Sequence, residues 1–233
     1  MEAISHAGTA AGVLTKEGII LIGVQLATNP LLEPTNEKIF KINSQAACAV
    51  AGITSDATNL LDLARKRSLN HTLDFDQEIP LEHLVSTFCD TKQHYTQVGG
   101  QRPFGVSFLF GGWDEHYGYQ LYLTGPAGNY GGWKATAIGK NSRSSLACLR
   151  QDYTDTLTLE EGKVLALKAI AKSLDTASLN ADIIEMMTLT RDVNRRPGQQ
   201  IVQTVLEKEE IKNLIEVHKE ELVKKDDEDD EEN

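Results

Sequence analysis

The sequence predicts an α+β fold in which two antiparallel sheets pack face to face and helices cover both outer faces. Strand-like and helix-like stretches come in separate runs: strands, two helices, strands, two helices, strands and a helix. This order is typical of segregated layers and not of alternating β-α-β winding. The apolar run Val106 to Phe110 has the composition of a buried strand, which needs a layer on each face. A chain of 233 residues with 40% hydrophobic content is long enough to bury such a core.

The first third of the chain predicts a short helix and two hairpins. Apolar runs flank a glycine-containing turn in the first hairpin, and two prolines interrupt the segment between the hairpins. The predicted bounds are Met1 to Ala7 for the helix, Thr9 to Leu14 and Ile19 to Val24 for the first hairpin, residues 27 to 36 for a loop, and Lys38 to Ile42 and Ala46 to Ala51 for the second hairpin.

Two helices follow, each with apolar residues at helical spacing. Thr54 or Ser55 is expected to cap the first helix, which ends near Asn70. Pro80 suits the first turn of the second helix, which is expected to extend to about Tyr95.

A tight loop on Gly99 and Gly100 then leads into the buried strand, and Gly111 and Gly112 are expected to end that strand with a turn. The remaining elements are predicted as strands at Tyr117 to Leu123, Trp133 to Ile138, Ile183 to Thr190 and Ile201 to Leu206, with a polar turn at Asn194 to Gln199 and helices at Ser142 to Tyr153, Leu159 to Leu174 and Glu207 to Val223.

Composition excludes several classes of function. The net charge is −11, but seven acidic residues lie between Asp226 and Glu232, so the rest of the chain is closer to neutral and generic nucleic-acid binding is disfavoured. No apolar run approaches the length of a membrane span. The three cysteines are widely spaced in apolar surroundings, as expected of reduced core residues in a cytosolic protein.

No local motif marks a metal or catalytic site. The six histidines lack metal-ligand spacing, and the sequence has no G-x-S-x-G pattern. The glycine-rich stretch Gly128 to Gly132 lacks the lysine and hydroxyl residue of a phosphate loop. It is expected to be a loop that lets Trp133 pack. The sequence therefore predicts no metal, no cofactor and no catalytic residue.

Two long motifs carry a family resemblance. YTQVGGQRPFGVS begins at Tyr95, and GNYGGWKATAIG covers Gly128 to Gly139. Together they resemble the α-type subunits of the proteasome core particle, and most closely the alpha type-4 class, the third subunit of the α ring. The resemblance implies a four-layer αββα sandwich, the amino-terminal nucleophile hydrolase fold. One such domain is expected over residues 1–223, with residues 1–7 as the remnant of the N-terminal helix and residues 224–233 as a disordered acidic tail.

The segment that normally precedes this domain in the family is not in the sequence. We therefore expect either an N-terminally shortened form or a misassigned start.

The resemblance also implies a non-catalytic, structural role. In the related catalytic β subunits a threonine freed by self-cleavage is the nucleophile, but in this chain Gly8 matches the nucleophile position and the end of the second strand lacks the required acid. The motif around Lys38 matches the α-ring pocket lysine, which in the family meets the C-terminal carboxylate of an activator tail. Gly52 and Ile53 match the wall of that pocket.

The implied partners are neighbouring proteasome α and β subunits and the C-terminal tails of a regulatory particle or activator, with no nucleic acid and no membrane. The expected role is to form the outer ring that gates substrate entry for ubiquitin-dependent degradation, in cytoplasm and nucleus. Two alternatives remain open: a self-processing hydrolase with Thr9 as its mature N-terminus, and a stand-alone scaffold that acts through the acidic tail.

Overall fold

A computed structural model describes residues 2–25, 38–174, 179–196, 198, 200–219 and 222. The helices are α1 (Glu2–Ser5), α2 (Thr54–Phe75), α3 (Leu81–Gln97), α4 (Ser142–Asp152), α5 (Leu159–Ser173) and α6 (Lys208–Val217), with one 3₁₀ turn at Ala181–Ile183. The strands are β1 (Ala10–Leu14), β2 (Gly18–Val24), β3 (Ile39–Lys41), β4 (Ala46–Gly52), β5 (Val106–Asp114), β6 (Gly118–Thr124), β7 (Tyr130–Gly132), β8 (Ala135–Ile138), β9 (Ile184–Arg191) and β10 (Ile201–Val205). The predicted loop 27–36 and acidic tail 224–233 lie outside the described residues.

The strands form two five-stranded antiparallel sheets. The first sheet has the order β10-β9-β2-β1-β8, so it joins strands from both ends of the chain. The second sheet has the order β3-β4-β5-β6-β7, in which every strand pairs with its neighbour in sequence.

Three apolar cores separate four layers. The two sheets face each other across a core that includes Ile19, Leu21 and Leu109. The helices α4 and α5 cover the outer face of the first sheet, and α2 and α3 cover that of the second. This arrangement confirms the predicted α+β sandwich.

The strand β5 is central to the second sheet, and all nine of its residues are buried. The prediction that Gly111 and Gly112 form a turn is wrong, because both pair within β5 with residues of β4 and β6. A side chain at Gly111 would lie 3.0 Å from Ile19 of the opposite sheet. These glycines therefore serve close packing between layers and not chain reversal.

The helix α2 departs from its predicted ends. Neither Thr54 nor Ser55 caps it: Ile53 is the N-cap residue, and no side chain accepts from the first turn. The helix continues past Asn70 to Phe75 and ends at Asp76, which has a left-handed backbone with φ 53°. The last buried residue of α2 is Ser68, so the turns beyond Asn70 continue without a buried apolar stripe, and within them Thr72 Oγ1 donates to the Ser68 carbonyl at 3.1 Å.

The glycine-rich stretch after β6 is also not a simple loop. Tyr130–Gly132 forms the edge strand β7, which pairs with β6 in register Tyr122 to Gly132. Trp133 lies after this strand with 44% of its surface exposed, so the expectation that it packs is wrong, and β8 begins only at Ala135.

Candidate binding site around Lys38

Lys38 lies just before β3 and is held by both sheets. Its main-chain N–H donates to Glu185 Oε2 on β9 at 2.7 Å. Its carbonyl accepts from the N–H of Val50 on β4 at 3.0 Å. The main chain of Lys38 is therefore fixed to the first sheet on one side and to the second sheet on the other.

Two glycines make room for the Lys38 side chain. A Cβ atom at Gly23 would lie 2.8 Å from Lys38 Cβ, and one at Gly8 would lie 3.2 Å from Lys38 Cε. Real Cβ contacts are longer than the first of these distances, so a larger residue at Gly23 would displace the lysine. The glycines thus let an aliphatic chain cross from one layer towards the other.

The ammonium of Lys38 rests on main-chain carbonyls. Nζ donates to Gly8 O at 3.3 Å and to Val50 O at 3.4 Å. Burial lowers the pKa of this ammonium, and the negative charge of Glu185 acts in the opposite direction. An ammonium has three N–H donors, and in the described part of the chain two have acceptors, so the third can serve an anionic ligand.

Gly52 and Ile53, the other predicted site residues, lie two and three positions beyond Val50. Gly52 ends β4 with φ 141°, and a Cβ there would lie 2.3 Å from the Gly105 carbonyl. Ile53 N donates to the same carbonyl at 3.0 Å, while its side chain is 37% exposed. Both residues therefore lie at the C-terminal end of β4, just after Val50, which contacts Lys38. This end of β4 is beside the loop that leads into β5.

An ion pair that sequence reasoning missed fixes that loop. Arg102 donates to both oxygens of Asp56, at 2.7 and 2.8 Å, and Asp56 Oδ2 also accepts from Gly105 N at 2.9 Å. The guanidinium of Arg102 holds the pKa of Asp56 below its usual range. The sequence offered two separate signals. Asp56 in the first turn of α2 suggests a favourable interaction with the helix dipole, and Arg102 before Pro103 suggests a loop.

A buried lysine was also missed. Lys92 on α3 is fully buried, and Nζ donates to Val106 O at 2.9 Å and Thr124 Oγ1 at 3.4 Å. The ammonium lies 5.6 Å from the ring centre of Phe88 and 5.4 Å from that of Phe108. Burial lowers the pKa of Lys92 to about 8.

The structure does not assemble the site that a threonine hydrolase needs. The Thr9 hydroxyl donates to the Lys140 carbonyl, whereas Lys38 reaches Gly8, which has no side chain. At the end of β2, Gln25 donates to Glu185 at 3.5 Å, so an amide occupies the place where the acid would be expected. The geometry gives the self-processing alternative no support.

The remaining predictions concern metals, thiols and membranes. His83 and His94 are exposed on α3, and no group of three or more potential ligands lies together in the described ranges. Cys48, Cys89 and Cys148 are buried, which confirms their predicted place in the core. None of the helices in the described part of the chain is both long and apolar enough to span a bilayer.

The sequence of this chain is similar to those of known proteins of one family. The family model described as Proteasome subunit matches residues 4–189. Proteasome subunit alpha type-4-2 of Oryza sativa subsp. indica is 51% identical over 87% of this chain and 80% of its own length. Proteasome subunit alpha type-4 of Spinacia oleracea is 52% identical over 80% of this chain and 75% of its own length. Proteasome subunit alpha type-4-A of Arabidopsis thaliana is 50% identical over the same shares of the two chains.

Proposed function

This chain belongs to the proteasome subunit family, and from that premise we propose that it helps to form the outer α ring that gates substrate entry and docks activators for ubiquitin-dependent protein degradation. Its relatives named above are all alpha type-4 subunits. The chain is accordingly a proteasome α subunit, one of the non-catalytic ring subunits, and assembles with other proteasome subunits. Neighbouring α subunits and a β subunit are the proposed direct partners, with no nucleic acid and no membrane, in cytoplasm and nucleus.

Within this role, we propose Lys38 as the group that receives the C-terminal carboxylate of an activator tail. The observation that carries this proposal is the position of its ammonium, which touches two main-chain carbonyls and has a third donor without an acceptor among the described residues. Capture of a chain terminus by such a group is a known mode of peptide recognition. A charge-assisted hydrogen bond of this kind contributes about 1.5–3 kcal/mol.

Gly52 and Ile53 are proposed to line the wall of the same pocket. The exposed Ile53 side chain offers an apolar surface beside the polar group. The hydrogen bond of Ile53 N to Gly105 and the Asp56–Arg102 pair keep this wall in place. A peptide end with an apolar side chain near its carboxylate would suit both parts of the pocket.

The first experiment is to purify the tagged chain gently from its own cells and to determine its native mass and partners. A large particle containing other α-like and β-like chains is expected, and a lone monomer would contradict the ring assignment.

The second experiment compares particles carrying wild-type chain and Lys38→Met. We expect the substitution to weaken binding of a synthetic activator-tail peptide by about ten- to a hundredfold, and the C-terminal amide of that peptide to bind both particles equally weakly. Equal binding of the free-acid peptide to both particles would refute the role of Lys38.

A further inference from the structure

Glu185 is the one acidic side chain that touches Lys38 in the described part of the chain. It lies on β9, 147 residues away in sequence, and its Oε2 accepts the Lys38 main-chain N–H at 2.7 Å. In the sheet it is paired with Gly23, the glycine that the Lys38 side chain crosses. The Glu185 carboxylate thus binds the main chain of Lys38 and not its ammonium group.

We propose that Glu185 is the positioning residue of the Lys38 site: it holds the Lys38 main chain against the first sheet and places its acidic side chain beside that of the lysine, so that the site selects a carboxylate ligand. This inference rests on the proposed role of Lys38. Glu185 does not itself bind the ligand.

The anchoring part of the proposal follows from the topology. Lys38 precedes β3, an edge strand of only three residues, and β3 pairs on one side with β4. Without the bond to Glu185, nothing described in the first sheet would hold the Lys38 main chain. The 2.7 Å contact therefore fixes the direction in which the side chain leaves the strand.

The electrostatic part follows from the groups that surround the side chain. In the described part of the chain, four segments lie against Lys38: the segment ahead of β1 (Gly8), β2 (Gly23), β4 (Val50) and β9 (Glu185). The first three offer main-chain carbonyls or open space, so Glu185 provides the one acidic side chain among these contacts. Burial lowers the pKa of Lys38 and Glu185 opposes that effect. A neutral amine would lose the charge assistance that favours a carboxylate.

Glu185→Gln separates a charge effect from a purely structural one. The amide oxygen can still accept the Lys38 N–H, but the negative charge is gone. Asp182→Asn is the matched control, because Asp182 is exposed three residues earlier, in the 3₁₀ turn, and its removal changes the net charge equally.

The direct test is competitive labelling of assembled particles with trace acetic anhydride, followed by mass spectrometry of the peptide that contains Lys38. Reactivity rises as the ammonium loses its proton, so the curve between about pH 6 and pH 11 gives its midpoint. We expect Glu185→Gln to move the midpoint to lower pH and Asp182→Asn to leave it unchanged. Superimposed curves for Glu185→Gln and wild type would overturn the electrostatic claim, whatever the activator data show.

The binding test uses the free-acid tail peptide described above. Glu185→Gln is expected to bind it like wild type at acidic pH and more weakly at alkaline pH, because the amine of the variant loses its proton, and with it the charge assistance, at a lower pH than in wild type. Loss of binding in Lys38→Met but unchanged binding in Glu185→Gln at all pH values would overturn the positioning role alone. No loss in Lys38→Met would refute the proposed function, and the labelling curves would then still decide the charge relation between Glu185 and Lys38.

Discussion

Asp56 and Arg102 lie 46 residues apart in the chain and form a two-pronged ion pair that joins the start of α2 to the loop ahead of β5. The Asp56 side chain is nearly buried, whereas that of Arg102 is 64% exposed. The same carboxylate holds the Gly105 N–H, and the Gly105 carbonyl holds Ile53. One acidic residue thus organises the wall of the proposed pocket.

We expect Asp56→Asn to lower the free energy of unfolding by about 1–2 kcal/mol at neutral pH, because it breaks a charged hydrogen bond. The pKa of Asp56 is held below its usual range, so this stabilisation is present above the pKa of an unfolded aspartate, about 3.9, and is lost as pH falls through the lower folded value. Urea unfolding of wild type and Asp56→Asn at about pH 7 and pH 3 measures the difference in free energy of unfolding and its loss in acid. Asp62→Asn is the control, since its pair with Arg65 is long and exposed and contributes little. A difference that persists unchanged in acid would contradict the assignment.

Lys92 predicts a pH dependence of the same sign in the alkaline range. Its folded pKa of about 8 lies below the unfolded value near 10.5, so the folded state prefers the neutral amine. Stability therefore rises as pH increases between these values, by up to about 3 kcal/mol. We expect Lys92→Met to be neutral or stabilising at pH 7 and to lose that advantage towards pH 10. Thermal unfolding of wild type and variant across this pH range is the measurement, and the exposed Lys66→Met is the control. The prediction is refuted if both variants show the same pH profile as wild type.

Gly23 tests the crowding around Lys38. A Cβ atom there would lie 2.8 Å from Lys38 Cβ, so Gly23→Ala must shift the lysine or β2. We expect it to cost about 1–3 kcal/mol of stability and to weaken binding of the tail peptide. Gly99→Ala is the control, because no atom lies within 4 Å of its new methyl group. Equal melting temperatures for the two variants would show that the space between Gly23 and the Lys38 side chain is wider than the structure indicates.

The buried thiols predict slow alkylation of the native chain. Cys48 is fully buried, and burial raises its pKa and raises that of Cys89 to about 11, so little thiolate forms at neutral pH. We expect iodoacetamide to modify both residues at about pH 8 only after unfolding in urea. Mass spectrometry of the native sample would contradict this if Cys48 reacted as fast as a thiol in a short peptide.

The sequence was sufficient for the layers but not for every boundary. Hydrophobic period and turn residues predicted both hairpins and the buried strand at Val106, because these are local signals. They failed at Gly111 and Gly112, where paired glycines indicate a turn locally but serve close contact with the opposite sheet. They failed at Thr54 and Ser55 because Ile53, whose N–H is held by the distant Gly105 carbonyl, takes the N-cap position.

The site was predicted only in part for a related reason. Lys38, Gly52 and Ile53 came from a motif, and the structure gives the first a place between two sheets. Glu185 could not be found, since nothing in a single glutamate 147 residues away indicates that it will meet Lys38. Lys92 was missed because a lysine in a helix normally lies in solvent, and only the tertiary packing shows that this one does not.

The order of the strands has a consequence for biosynthesis. The second sheet is built from strands that follow one another along the chain, so each can pair as soon as it leaves the ribosome. The first sheet must wait, because β2 pairs with β9, which is made more than 150 residues later. Pairing over such distances is slow in folding. Lys38, which both sheets contact, thus reaches its final position only when synthesis is nearly complete, and a chain that ended before β9 would lack its contact with Glu185.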